Sequence, residues 1–214
     1  MSNVFVSSHP LVEHKLAELR DVRTRPADFR RAVRTLAVLL AQEAMLDLPL
    51  IEQDVSTPLA TARCRVLKDA VGIFPVLRAG LGMAEGIIEL LPEAEVWHVG
   101  LYRDEATLQP REYYNKLPAC RRVTVALLVD PMLATGGSAA HACEIIKTTG
   151  VPRLKLLALI AAPEGIVHVT RTMPDVQIYV GAVDLRLNEH GFIYPGLGDA
   201  GDRQFGTGKS ETNK

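Results

Sequence analysis

The chain has 214 residues, of which 48% are hydrophobic and 23% charged, with a formal net charge of -1. That apolar content excludes a disordered chain, and the balanced charge argues against nucleic acid as the principal partner. No window approaches the roughly 18 uninterrupted apolar residues that span a bilayer, so no membrane partner is expected.

Met1–Ser8 carries neither a basic start nor an apolar run, so no secretion signal is read there and a cytoplasmic location is expected. Pro26–Leu46 reads as an amphipathic helix: proline suits the first turn, and Phe29, Val33, Leu36, Ala37 and Leu40 recur at helical spacing. The six arginines 20, 23, 25, 30, 31 and 34 cluster around it and are read as a solvated face or a subunit contact. An RNA-binding or effector role for them is the rival reading.

From Val71 the pattern alternates. Val71–Leu77, Val96–Tyr102, Val123–Val129, Leu154–Ala161 and Val176–Val183 are apolar runs of buried-strand length. Helical patterns at Met83–Leu91, Ala139–Thr148 and Glu164–Met173 lie between them. Strands alternating with helices predict an α/β fold, a parallel twisted sheet flanked by helices, with ligands at the carboxyl ends of the strands. Between Tyr102 and Val123 a long charged segment breaks the rhythm; it reads either as a protruding hairpin arm or as a solvated loop. Cys64, Cys120 and Cys143 are odd in number and far apart, which excludes a disulfide framework and speaks against zinc.

The strongest local signal is the run from Leu127 to Ser138, in which an apolar strand ends at Asp130 and Thr135-Gly136-Gly137-Ser138 opens a helix. The unpaired N–H groups of a first helical turn and the positive end of the dipole suit a phosphate dianion. Asp130, at the strand end, is placed to accept hydrogen bonds from ribose hydroxyls. The bland alternative is an ordinary helix start with Ser138 as N-cap. A nucleotide-triphosphate P-loop is disfavoured, because no G-K-[ST] is present. Gly196-x-Gly198-x-x-Gly201 matches a dinucleotide fingerprint letter by letter, but the chain ends too soon for the required helix, strand and acid.

Four segments in series resemble the uracil phosphoribosyltransferase family. Val129 to Ser138 is similar to that family's loop for 5-phosphoribosyl 1-diphosphate (PRPP), with Pro131 in the second place as in the uracil branch. Pro75 to Met83 resembles the diphosphate loop, and Tyr102-Arg103-Asp104-Glu105 with Tyr114 to Pro118 resembles the flexible arm. Leu187 to Gly191 and Pro195 to Asp202 resemble the uracil-binding end. The likeness runs from His9 to Thr207 and implies one phosphoribosyltransferase type I-like domain over 1–214. Its β-arm would lie at about 102–120 and its base-binding hood at about 187–207.

The resemblance implies conversion of uracil and PRPP to UMP and diphosphate. It places PRPP on Arg78, Arg103, Asp199 and the run Asp130, Pro131, Met132, Leu133, Ala134, Thr135, Gly136, Gly137 and Ser138. Arg78, Arg103 and Asp199 carry the catalytic role in that reading, and Ile193, Gly198, Asp199 and Ala200 the uracil site. Mg2+ is implied as a cofactor carried by PRPP, with no direct protein ligand and Asp199 reaching it through water. A GTP effector and a homodimer or larger homo-oligomer are implied as partners. The sequence departs from the family at Phe192, where tyrosine is common, at Tyr194, where a branched aliphatic residue is usual, and at Arg111 and Glu112 in the arm. Orotate as the base is disfavoured, since Phe192–Gly201 offers no cation on the base side for its carboxylate.

Overall fold

The computed structural model describes residues 3–103, 110–115, 117 and 122–208, with the backbone alone at 102, 103, 110, 111 and 115. The centre of the arm, Cys120 and the polar tail after Gly208 lie outside the described residues.

In chain order the elements begin with β1 (Val4–Val6), α1 (Pro10–Arg20), α2 (Pro26–Ala44), β2 (Leu50–Ser56) and β3 (Thr61–Leu67). There follow β4 (Val71–Leu77), α3 (Leu81–Leu90), β5 (Glu95–Val96), β6 (Val99–Arg103) and β7 (Pro110–Asn115). Then come β8 (Val125–Val129), β9 (Met132–Leu133), α4 (Gly137–Thr148), β10 (Arg153–Ala161) and α5 (Pro163–Thr172). The chain closes with β11 (Gln177–Val183), β12 (Arg186–Leu187), β13 (Ile193–Tyr194) and α6 (Ala200–Phe205).

The main sheet runs β1-β11-β10-β8-β4-β6-β7. Every pairing from β1 to β6 is parallel, and β7 closes one edge antiparallel to β6. The strands alternate their side chains between two cores, as the pleat requires. Ile73, Leu127, Val129, Leu157 and Leu159 face α1, α2 and α3, while Phe74, Ala126, Leu128, Leu156 and Ala158 face α4 and α5. Both faces are therefore covered, which explains why the sequence shows continuous apolar runs rather than alternation in these strands. The helix at 26–44 buries Phe29, Val33, Leu36, Ala37 and Leu40 as its spacing predicts.

The antiparallel register Arg103↔Pro110 and Gly100↔Tyr114 makes the base of the charged segment a hairpin, the first of the two sequence readings. Several features were not anticipated. A second antiparallel hairpin joins β2 to β3, and β2 is exposed along its whole length, so it shows no buried face for periodicity to register. An N-terminal edge strand, β1, pairs with β11, and the short β9 extends the sheet beside β10. Helix α1 starts at Pro10 with the His9 ring accepting from the Leu11 N–H, a cap that the usual Ser/Thr/Asp/Asn signal does not reveal. Among the described residues no helix is long and apolar enough to cross a membrane.

One buried cation stands out. Lys155, on β10, is 1% exposed; its Nζ donates to the Ala44 carbonyl at 2.6 Å, near the end of α2, and to Asp47. It also lies 5.6 Å from the Tyr179 ring centre. The carbonyls at a helix C-terminus and a nearby carboxylate compensate a charge that would otherwise be expelled. Lys155→Ala should lower the unfolding free energy by about 2–4 kcal/mol, and Lys155→Met by clearly less, since it keeps the stem's packing. Urea melts of both variants check this; equal losses would show that only the charge matters.

Candidate active site

The parallel sheet delivers two loops to one place. Val129, the last residue of β8, lies level with Pro75 of β4 on one side and Leu157 of β10 on the other. The chain leaves β8 at Asp130 and leaves β4 at Arg78, so both enter the same carboxyl edge. Gly80 closes the gap: a Cβ there would lie 2.5 Å from the Val129 carbonyl oxygen, an approach that only glycine permits.

After β8 the chain turns through Pro131, whose carbonyl accepts from the Leu159 and Ile160 N–H groups of β10 at 3.0 and 3.2 Å. Asp130, Met132, Leu133, Ala134, Thr135, Gly136, Ser138 and Ala139 wall a cavity of about 220 Å³. Pro131 and Gly137 do not line it. Pro131 is buried against the sheet, so its contribution is to shape the loop.

The helix start corrects one reading. Ser138 is not the N-cap of α4; Gly136 is, and no side-chain hydrogen bond caps the turn. Gly136 has φ +84°, a left-handed conformation that a side chain would strain, and a Cβ there would lie 2.8 Å from the Gly165 carbonyl oxygen. A glycine cap brings no side-chain oxygen of its own to the first-turn amides, a chemistry that suits an external anionic acceptor.

Asp130 keeps an accessible edge on this cavity, but its carboxyl is crowded by protein. That desolvation raises its pKa to about 6, against a smaller pull in the other direction from the Met132 N–H at 3.4 Å. Such a carboxyl is favoured by anything that supplies donors to it, as vicinal hydroxyls would.

Arg78 follows β4 with its side chain 60% exposed. Its Nη2 stands 3.6 Å from an oxygen of Asp202, and its guanidinium lies 6.0 Å from the Phe205 ring centre, both on α6. Gln204, also on α6 and fully buried, donates from Nε2 to the carbonyls of Ala79 (2.9 Å) and Ala200 (3.0 Å). The loop after β4 is thus docked against the segment that begins at Asp199. Asp199 is exposed and caps α6, its Oδ1 accepting from the Asp202 N–H at 2.8 Å. Ile193 is buried on β13, Gly198 is exposed, and Ala200 is buried in the first turn of α6. Arg103 ends β6, with its backbone paired to Pro110; its side chain lies outside the described residues.

The structure therefore links Arg78 to Asp199 and Ala200 through α6, and lines one cavity with Asp130, Met132 to Gly136 and Ser138. Two contacting residues, Asp202 and Gln204, carried no site role in the sequence. Asp202 was legible only as one more acid in a glycine-rich run, and the reach of Gln204 to Ala79, 125 residues away, leaves no local pattern.

Residues outside this edge take structural roles. The His141 ring approaches Glu144 at 3.3 Å and His190 approaches Glu189 at 3.5 Å, each on the surface. Cys143 is buried in the core, and that burial pushes its thiol up to about 12. Among the described residues no three His, Cys, Asp or Glu side chains converge to hold a metal.

Because the folded pKa of Asp130 exceeds its ordinary value of 3.8, ionising it opposes folding. The penalty is absent below the ordinary value, grows as pH rises to about 6 and is complete above. Asp130→Asn should therefore gain stability over the parent above pH 6, by up to roughly 3 kcal/mol, and converge with it in acid. Denaturant melts across pH check this; an offset independent of pH would contradict it.

Comparison with known proteins gives these features a family. Residues 6–207 match the family model described as uracil phosphoribosyltransferase. A uracil phosphoribosyltransferase from Roseiflexus sp. (strain RS-1) is 55% identical over 208 residues, covering 97% of this chain and all of that protein. One from Symbiobacterium thermophilum is 54% identical with the same coverage. Among solved structures, a protein from Aquifex aeolicus superposes with a TM-score of 0.91 at 37% identity, covering 94% of this chain and 97% of that one.

Proposed function

Because the chain belongs to the uracil phosphoribosyltransferase family, we propose that it transfers the phosphoribosyl group of PRPP to N1 of uracil, forming UMP and diphosphate in cytoplasmic pyrimidine salvage. The observation that carries this reading is the glycine-capped first turn of α4, opening on a cavity that Asp130 also walls.

In this reading the amides and hydroxyls of 135–138 hold the 5-phosphate, and Asp130 accepts from the ribose hydroxyls. Arg78 and Arg103 bind the diphosphate, whose charge grows as its bond to the anomeric carbon lengthens. The ribose gains oxocarbenium character as its bond to diphosphate breaks, and uracil N1 closes on the opposite face, its proton leaving to solvent or the departing diphosphate. No protein nucleophile is needed: the chain acts by alignment and by stabilising the leaving group. Backbone groups at Ile193 and from Gly198 to Ala200 would read the acceptor–donor–acceptor edge of uracil. Cytosine reverses part of that edge and would leave a buried group unpaired. The docking of α6 on the loop after β4 supports this, because it sets the base end against the diphosphate end.

Magnesium, arriving on PRPP, would neutralise diphosphate charge. Its preference for oxygen ligands and retained water fits the exposed carboxylate of Asp199.

A homo-oligomer belongs to the same reading. It is supported by the exposed hairpin of β2 and β3, on which Leu50, Ile51, Val55 and Leu67 are each at least 36% exposed. A GTP effector at the arginine cluster would have to displace internal partners. Arg23 pairs with Asp21, Arg25 and Arg31 with Asp28, Arg34 with Glu85, and Arg30 donates to the Gln204 carbonyl.

The direct test is incubation with magnesium, PRPP and each of several bases, followed by chromatography of the nucleotides. UMP from uracil alone is expected; a nucleotide of another base in its place would overturn the substrate. Arg78→Ala should lower kcat and raise the KM for PRPP, together costing at least about 100-fold in kcat/KM. Kinetics near those of the parent would remove Arg78 from the diphosphate. In the parent, kcat/KM for PRPP should fall below pH 6 as Asp130 takes up its proton, and Asp130→Asn should lose that limb.

A further inference from the structure

Arg20, the last residue of α1, and Asp184, just beyond β11, form a two-pronged ion pair with Nη1 to Oδ2 at 2.8 Å and Nη2 to Oδ1 at 2.5 Å. The same Oδ2 accepts the Gly196 N–H at 2.8 Å, and the same Nη1 donates to the Gly196 carbonyl at 2.8 Å. One ion pair thus holds both polar groups of a single backbone residue. The Asp184 side chain is 4% exposed, so the grip is largely shielded from water. The next carbonyl, of Leu197, accepts from Arg203 Nη1 at 2.8 Å. Arg203 also donates to the carbonyls of Leu19 and Asp21 and lies 4.5 Å over the Phe29 ring. Residues 196–197 are therefore held between the end of α1 and the end of β11, immediately before Gly198.

A shielded ion pair is a weak source of stability compared with apolar packing of the same volume. What it supplies is direction: a planar fork and a carboxylate fix a peptide plane far more tightly than a hydrophobic contact does. We propose that Arg20 and Asp184 are positioning residues for base recognition, orienting the turn that presents Gly198 to Ala200 and thereby setting the affinity for uracil without touching either substrate. The inference rests on the reading that uracil binds at Ile193 and Gly198–Ala200. It differs from that reading because no atom of the pair contacts the base.

The test is a split between the two substrates. Asp184→Asn keeps the shape but loses the ionised oxygens that serve Arg20 and the Gly196 N–H together. Its KM for uracil should rise about 10- to 100-fold, with the KM for PRPP within about 3-fold of the parent. Arg20→Lys keeps a charge for Asp184 but not the fork, and should raise the uracil KM by about 3- to 10-fold. Should Asp184→Asn fail to fold, Arg20→Lys decides alone. A lowered Tm with an unchanged uracil KM would overturn the inference, as would equal increases in both KM values. A crystal of the parent with UMP separates the two levels. A base lying away from 193 and 198–200 overturns the site assignment and the inference with it. A base lying there beside an unchanged KM overturns the role of the pair alone.

Discussion

The glycine-opened first turn of α4, set at the carboxyl edge of the sheet, is the constraint around which the neighbouring loops are arranged. A helix start with no side-chain cap carries N–H groups and a positive dipole end that water or an anion must satisfy. Gly136 holds the turn in a left-handed conformation and leaves it without a capping oxygen. The strand before it is central to the sheet, with β4 and β10 on either side, so the turn is fixed by hydrogen bonds on both flanks.

From that turn the surroundings follow. The loop after β4 can reach the same edge because Gly80 lets it pass against the last carbonyl of β8. It is then clasped from the other side by α6, through Gln204 to the Ala79 carbonyl and Asp202 to Arg78. Residues from the first and last parts of the chain meet here: Arg30 of α2 donates to the Gln204 carbonyl, and Arg203 of α6 donates back to Leu19 and Asp21. Within the N-terminal arginine cluster, Arg20 and Arg30 turn inward onto Asp184 and the Gln204 carbonyl, whereas Arg23, Arg25 and Arg31 stay exposed beside Asp21 and Asp28.

The parts of the fold that were legible in sequence are those where one physical rule dominates. Val71–Leu77 is a buried strand on both faces and reads as an uninterrupted apolar run, and the strand observed there has the same bounds. The face of α2 is recovered residue by residue because burial follows helical spacing. The hairpin of β2 and β3 escaped because β2 has no buried face, and hydrophobic periodicity reports only burial. The start of α4 after a buried strand was readable from its glycine-rich run, but the identity of the cap was not, since Ser138 and Gly136 both suit that position in sequence. Long-range polar contacts such as Arg20 with Asp184 and Gln204 with Ala79 follow no local spacing, so they leave no pattern in the sequence.

The account is tested most directly by following the backbone amides by NMR while titrating ribose 5-phosphate into the protein. It predicts that the resonances of Thr135 to Ala139 move first and furthest, with Asp130 responding to the ribose hydroxyls. If those amides stay still while the sugar phosphate binds elsewhere, or if it does not bind, the first turn of α4 is not the anion site and the account fails.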